Sequence, residues 1–194
     1  MLENLPLPGA ELLWDPAWLA PEHADALLVA LRREIDWETH RIRMFGRWLD
    51  SPRRSCWIGD PGAGYVYSGA RFEPRPWPAR LTALRGPLRE ATGVAFNSVL
   101  ANLYRDGSDS MGWHADDESE LGPQPVIASL SLGQARRFKL KHRQDPARKL
   151  DLDLPHGSLL VMRGETQKFF KHALPRSARP MGPRVNLTFR LIGS

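Results

Sequence analysis

Trp113-His114-Ala115-Asp116 sets an imidazole and a carboxylate two residues apart. On an extended segment, residues i and i+2 point to one face, so His114 and Asp116 could grip one metal ion together. Alone, such a tripeptide is common in surface loops. A further ligand is needed, and His172, just past Gln167-Lys-Phe-Phe170, supplies it in principle. Two histidines and one carboxylate form the facial set of non-haem Fe(II) oxygenases, which leaves coordination positions open for reactants.

A second chemical signal lies in Arg184-Val-Asn-Leu-Thr-Phe-Arg190. Arg184, Asn186, Thr188 and Arg190 share one face of a strand, and Val185, Leu187, Phe189 and Leu191 the other. One reading is a half-exposed strand with a solvated polar face. Two guanidinium groups on one face with no acid between them repel, however, and an anion seated between them removes the conflict. A dicarboxylate would satisfy both, each charged hydrogen bond contributing about 1.5–3 kcal/mol. Asn102-Leu-Tyr104 is another polar i, i+2 pair, able to orient a carboxylate from a facing strand or to serve as ordinary half-buried polar residues.

The elements that must position these groups are mainly β. From Phe96 onward, short β-rich runs alternate with turn residues: 98–104, 111–114, 126–132, 137–141, 149–154, 158–162 and 184–192. Such spacing reads as an antiparallel sandwich or barrel rather than βαβ units. Before residue 95 two helices are expected. One follows Pro21, with Leu27, Leu28, Leu31 and Ile35 at helical spacing; the other runs from Pro78 to Ala91, where Gly93 can end it although Gly86-Pro87 interrupts. The expected architecture is α+β, mainly β: a jelly-roll core over 96–194, with residues 1–95 forming N-terminal helices and a cover, all in one domain of 194 residues.

Composition narrows the class. Apolar residues make up 42% and charged residues 25%, which excludes a mostly disordered chain. The single cysteine, Cys56, excludes a disulfide scaffold and favours a reducing compartment. No apolar run approaches the ~20 residues that span a bilayer, and the first residues lack a secretory pattern, so a cytoplasmic, bacterial, monomeric protein is expected. The net charge of +5 suggests an anionic partner, and 22 of the 27 basic residues are Arg. Arg41, Arg43, Arg47, Arg53 and Arg54 cluster against one acid, Asp50. A GC-rich genome explains an Arg excess equally well.

The ordered set Asn102-x-Tyr104, His114-x-Asp116, His172 and Arg184-x-Asn186-x-Thr188-Phe189-Arg190 resembles the AlkB family of Fe(II)/2-oxoglutarate-dependent nucleic-acid demethylases. Pro183-Arg-Val-Asn-Leu-Thr-Phe-Arg190 is its most specific piece. Ile127-Ala-Ser-Leu-Ser-Leu-Gly133, His156-Gly-Ser-Leu-Leu160, Phe45-Gly-Arg47 and Tyr65-Val-Tyr-Ser-Gly69 extend the likeness over roughly residues 40–192, closest to the duplex-DNA repair branch. The resemblance implies a double-stranded β-helix. It implies Fe(II) on His114, Asp116 and His172, and 2-oxoglutarate on Asn102, Tyr104, Arg184, Asn186, Thr188 and Arg190, with Arg190 near the C1 carboxylate and Arg184 near C5. With O2 as oxidant, an N-linked methyl group on a base such as 1-methyladenine or 3-methylcytosine would leave as formaldehyde while 2-oxoglutarate becomes succinate.

The same likeness points to DNA contacts. Tyr65, Val66 and Tyr67 would line a pocket for a flipped base, and Asp117 and Glu118 would favour a cationic one; without the likeness these two acids read as a solvated loop. Phe45 and Gly46 match an apolar finger that fills the vacated stack, with Arg47, Arg53 and Arg54 on phosphates or the orphaned strand. Phe45 packed in the cover is the other reading. An oxygenase acting on RNA, a protein or a small molecule, and an idle nucleic-acid-binding β domain, are the competing functions. His156 and His142 read as turn and strand-end residues, and Cys56 as a small packed one.

Overall fold

The protein is described from a computed structural model that covers residues 1–44, 47–67 and 70–193, with side chains outside 42–48 and 65–72. Glu3–Asn4 (β1) and Glu11–Asp15 (β2) precede helix α1, Pro21–Glu34. Arg41–Met44 (β3) pairs with Arg47–Asp50 (β4); Arg54–Gly59 (β5) follows; Tyr65–Tyr67 (β6) pairs with Ala70–Phe72 (β7). Helix α2 is Ala79–Thr92. Then come Ser98–Tyr104 (β8), Met111–His114 (β9), Ile127–Gly133 (β10), Arg136–His142 (β11), Lys149–Leu154 (β12) and Leu159–Arg163 (β13). One helical turn, Thr166–Phe169 (α3), leads into Phe170–Leu174 (β14), and Arg184–Arg190 is β15.

Apart from the β3-β4 and β6-β7 pairs, these strands form two antiparallel sheets, one in the order β1-β2-β13-β10-β15-β8-β5 and a smaller one in the order β12-β11-β14-β9. The larger sheet is buried on both faces. Val185, Leu187 and Phe189 of β15, with Val99, Ala101 and Leu103 of β8, pack against Leu27 and Leu31 of α1 and Leu81, Leu84 and Leu88 of α2. Leu12, Ile127, Leu160 and Met162 on the opposite face meet Phe138, Leu140, Leu154 and Phe170 of the smaller sheet. The result is a helix layer, a sheet and a second sheet, the mainly β sandwich that the alternating runs imply.

The helices follow their sequence signals. α1 has Pro21 in its first turn, where the missing N–H costs nothing, and Arg32 and Arg33 in its last, where they complement the helix dipole. α2 continues through Pro87. The proline forfeits one hydrogen bond to Ala83, but burial of Leu81, Leu84 and Leu88 on both sides of it holds the helix together. Gly93, at φ +77°, ends α2, and its N–H closes on the Arg89 carbonyl.

Two expectations about organisation change. The larger sheet does not begin near residue 96: β1, β2 and β5 belong to it, so the first 95 residues supply sheet as well as helix. β5, Arg-Ser-Cys-Trp-Ile-Gly, is buried along nearly its whole length, which erases the alternation that marks a half-exposed strand. β14, which carries His172, also has no place among the expected runs. Its core-facing side is interrupted by a polar ligand candidate, so its hydrophobic pattern is broken where it matters.

Leu187 is fully buried between the sheet and the helices. Leu187→Ala should therefore lower stability by about 2–5 kcal/mol in chemical denaturation.

Candidate active site

The two histidines meet because β9 and β14 are neighbours. His114 and His172 are direct cross-strand partners, after which the register slips, and their rings lie 4.2 Å apart between centroids. Asp116 sits two residues beyond His114, where the chain has left the strand. One potential ligand atom from each of His114, Asp116 and His172 lies within 4.8 Å of the others. His114 Nδ1 contacts the Gly112 carbonyl at 2.9 Å; donating its proton there leaves Nε2 as the free lone pair.

Three contacts hold Asp116, which is 2% exposed. Arg190 Nη2 donates to Oδ1 at 2.7 Å. Oδ2 faces His172 Nε2 at 3.9 Å. The Asp116 backbone N–H donates to Oε1 of Gln167 at 2.9 Å. Burial alone would raise the carboxyl pKa, but Arg190 and the two histidines outweigh it and hold the group at about 2. Burial pushes His172 down to about 3, with His114 acting the same way, and burial also lowers His114. At neutral pH the trio is therefore two neutral imidazoles and one carboxylate, the protonation state in which all three are ligands. Two nitrogens and one oxygen on one side of a cavity suit a ferrous ion with open positions.

Opposite the triad, the larger sheet presents a polar surface built by register. Arg184 pairs with Tyr104, Asn186 with Asn102 and Ser131, and Thr188 with Ser129. Asn102, Tyr104, Asn186, Thr188 and Arg190 line one cavity with the three triad residues, and Leu100, Phe138 and Met162 add apolar wall. Arg184 is not among the lining residues; it is fully buried beside them, its guanidinium 5.3 Å from the Tyr104 ring centroid. Its Nη2 donates to Ser131 Oγ at 2.9 Å and to Asn186 Oδ1 at 3.0 Å, but Nε and Nη1 have no hydrogen-bond partner among the described residues. Burial, seconded by Arg136, lowers its pKa to about 10. A buried cation with unsatisfied donors is costly, and a carboxylate is the group that answers both donors and charge. The polar face of β15 is thus covered by the second sheet, not solvated.

Other expected residues are distributed less uniformly. Arg53 is not a phosphate contact: it is 5% exposed, its Nε donates to Asn102 Oδ1 at 2.8 Å and its Nη1 to Ser51 Oγ at 3.0 Å. The Asn102 carbonyl is thereby occupied and its Nδ2 amide left to the cavity side. Arg54 is exposed. Asp117 is exposed and pairs with Arg143 at 2.5 Å, and Glu118 is half-buried. Phe45 and Gly46 lie outside the described residues. Arg47 is in β4, and Tyr65, Val66 and Tyr67 form β6, with their side chains outside the description. His156 accepts the Gly133 N–H in a turn, His142 accepts two loop N–H groups, and Cys56 is buried with its thiol pushed up to about 11 by burial.

Gln167 and Arg143 went unnoticed in sequence. Gln167 is 1% exposed on α3, five residues ahead of His172, and Arg143 Nη2 bridges its carbonyl to the Asp117 carboxylate. A glutamine between Thr166 and Lys168 carries no pattern that separates it from a surface residue.

The defining pattern of the 2OG-Fe(II) oxygenase superfamily matches residues 11–190. A mouse protein named DNA oxidative demethylase ALKBH2 is 41% identical over 179 residues, covering 87% of this chain and 75% of the mouse protein; the human counterpart is 40% identical, with 69% of it covered. The human alpha-ketoglutarate-dependent dioxygenase alkB homolog 3 is 37% identical over 186 residues, covering 91% of this chain and 64% of that protein. Among solved structures, "The structure of OsALKBH1" superposes with a TM-score of 0.63 at 16% identity, covering 98% of this chain and all of that one, which speaks to the fold. With the His-Asp-His cluster, family membership implies Fe(II) and 2-oxoglutarate as the groups this site takes. The chain belongs to the AlkB family of 2OG-Fe(II) oxygenases.

Proposed function

We propose that the protein is a dioxygenase that removes methyl groups from N-alkylated bases in DNA, with His114, Asp116 and His172 as iron ligands. The observation that carries this is the convergence of those three groups beside the buried Arg184 and Arg190, in a chain about 40% identical to proteins named DNA oxidative demethylases. Iron, 2-oxoglutarate and O2 together supply an oxidant that hydroxylates the N-methyl carbon, giving succinate, carbon dioxide and a hydroxymethyl amine that collapses to formaldehyde and the free base.

The chain's own residues do the positioning. Gly112 fixes the His114 ring so that Nε2 faces the cavity. Arg190 takes one Asp116 oxygen and leaves the other for metal, while Gln167 anchors the same residue's backbone. Arg184 offers Nε and Nη1 to the distal carboxylate of 2-oxoglutarate, and Tyr104, Asn102, Asn186 and Thr188 complete its bed. Leu100, Phe138 and Met162 keep bulk water away, which strengthens each of these charged contacts.

A base stacked in a duplex cannot reach such a site and must be flipped, at a cost of a few kcal/mol that is smallest for a damaged base. Tyr65 and Tyr67, in β6, are the proposed stacking surface, with Val66 between them. A cationic base would take over part of the role that Arg143 plays at Asp117, with Glu118 adjacent. Phe45 and Gly46 are the proposed wedge, with Arg47 beside them on the backbone.

Three outcomes check this reading. With iron, 2-oxoglutarate and matched single- and double-stranded oligonucleotides bearing one 1-methyladenine or 3-methylcytosine, formaldehyde and succinate should form in equal amounts; succinate without methyl-dependent formaldehyde would exclude it. Arg184→Met should raise the KM for 2-oxoglutarate about 10- to 150-fold, the loss expected for a charged hydrogen-bonded contact, with Mn(II) affinity unchanged. Gln167→Leu should do the reverse, weakening Mn(II) binding in calorimetry about 10- to 100-fold through the misplaced Asp116.

A further inference from the structure

Of the arginines buried around the cavity, two are committed elsewhere. Arg190 is matched by Asp116 at 2.7 Å, so its charge is answered inside the protein. Arg53 is turned to Asn102 and Ser51. Arg184 has no ion pair among the described residues, and the guanidinium that shares its surroundings is Arg136, which comes from the other sheet.

The chain delivers Arg136 there by a short route. Gly133 stands opposite Arg184 in the β10–β15 register and begins the turn from the larger sheet to the smaller one. Its φ is +88°, and an added Cβ would meet the Pro183 carbonyl at 2.5 Å, so this turn requires glycine. Arg136 then opens β11 on its inward row, two residues ahead of Phe138, which lines the cavity. The side chain is 2% exposed, and its guanidinium lies 5.8 Å from the centroid of the Tyr104 ring, against 5.3 Å for Arg184.

Among the described residues no carboxylate pairs with Arg136. Its Nη1 donates to the Asp106 carbonyl at 3.0 Å, and its Nη2 to the carbonyls of Asp109 and Pro175, both at 2.8 Å. The buried Asp109 carboxylate is held by Arg105, whose Nε and Nη2 donate to its two oxygens at 2.8 and 2.7 Å. The Asp106 carboxylate is exposed and turned to Ser108. Carbonyl dipoles ease the burial of Arg136 without cancelling its charge. Two buried cations therefore sit over one phenol ring, where like charges repel. Arg136 is accordingly among the groups that lower the pKa of Arg184. An anion placed beside Arg184 relieves that repulsion, and both cations are already fixed when it arrives.

Resting on the reading of Arg184 as the group that meets the distal carboxylate of 2-oxoglutarate, we propose that Arg136 is a specificity-determining residue of the same site. It supplies the second positive charge that makes the site select a diacid over a 2-oxo acid with a neutral tail. Arg136 acts without touching the acid, through its field across Tyr104. A site built around fixed charge rejects an analogue that lacks the matching group, because its own charges are then left unanswered.

Calorimetry on the Mn(II)-loaded protein under argon tests this with two probes, 2-oxoglutarate and 2-oxopentanoate, which has the same five carbons and keto acid end but no distal carboxylate. The wild type should prefer 2-oxoglutarate. Arg136→Gln, which keeps amide donors for the carbonyls but no charge, should weaken 2-oxoglutarate about 5- to 20-fold, what one unit charge contributes across roughly 10 Å at an effective dielectric constant of about 20. Binding of 2-oxopentanoate and of Mn(II) should stay as in the wild type. Arg136→Lys should restore the wild-type ratio. An unchanged ratio in the Gln variant, an equal loss of both acids, or a Lys variant as poor as the Gln one would overturn the proposal, because Arg136 would then only brace its loops. If Arg136→Gln does not fold, Arg105→Gln carries the test from a half-exposed position. That change frees the Asp109 carboxylate to answer Arg136, so the ratio should fall about 3-fold or more, and an unchanged ratio would again overturn the proposal. A wild type that binds both acids alike would overturn the 2-oxoglutarate reading of Arg184, and this proposal with it.

Discussion

The ion pair between Arg190 and Asp116 joins the two sheets at the point where chemistry is expected. Both side chains are 3% exposed and meet at 2.7 Å. Arg190 closes β15 of the larger sheet; Asp116 belongs to the loop after β9 of the smaller one. Removing either partner would strand a charge in the interior, a loss of about 3–5 kcal/mol. The pair therefore fixes the sheets relative to each other, keeps the carboxylate ionised, and turns its second oxygen toward His172. The triad depends on this contact as much as on its own three residues.

Much of this arrangement is legible in the residues themselves. The alternation of 184–191 identifies β15, and register then places Arg184, Asn186, Thr188 and Arg190 on one face whatever lies opposite. What lies opposite is not encoded locally. Arg184 in a solvated strand and Arg184 in the interior have the same sequence, and only the tertiary fold, which buries it completely beside the Tyr104 ring, distinguishes them. Arg53 shows the same ambiguity in reverse: it sits in a run of arginines suited to phosphate, yet it is buried against Asn102 and Ser51. β5 and β14 were illegible for a related reason, since a strand buried on both faces, or carrying a histidine inward, loses the period-two signature.

The helices contribute to the site without touching it. α1 and α2 cover one face of the larger sheet with leucines, so that the opposite face of the same strands can hold polar groups at fixed spacing. Preorganisation of this kind is what lets a small number of donors discriminate between ligands. Arg136 extends it behind Tyr104: its guanidinium is 5.8 Å from the Tyr104 ring centroid and donates to the carbonyls of Asp106, Asp109 and Pro175.

Nε and Nη1 of Arg184, without a partner among the described residues, have a consequence beyond the reaction. A diacid seated against this buried guanidinium binds the native state and leaves the denatured chain unaffected. Folded-state stability then rises with the logarithm of diacid concentration above its dissociation constant. Loss of the polypeptide to proteases that cut the denatured chain would then slow as that diacid accumulates.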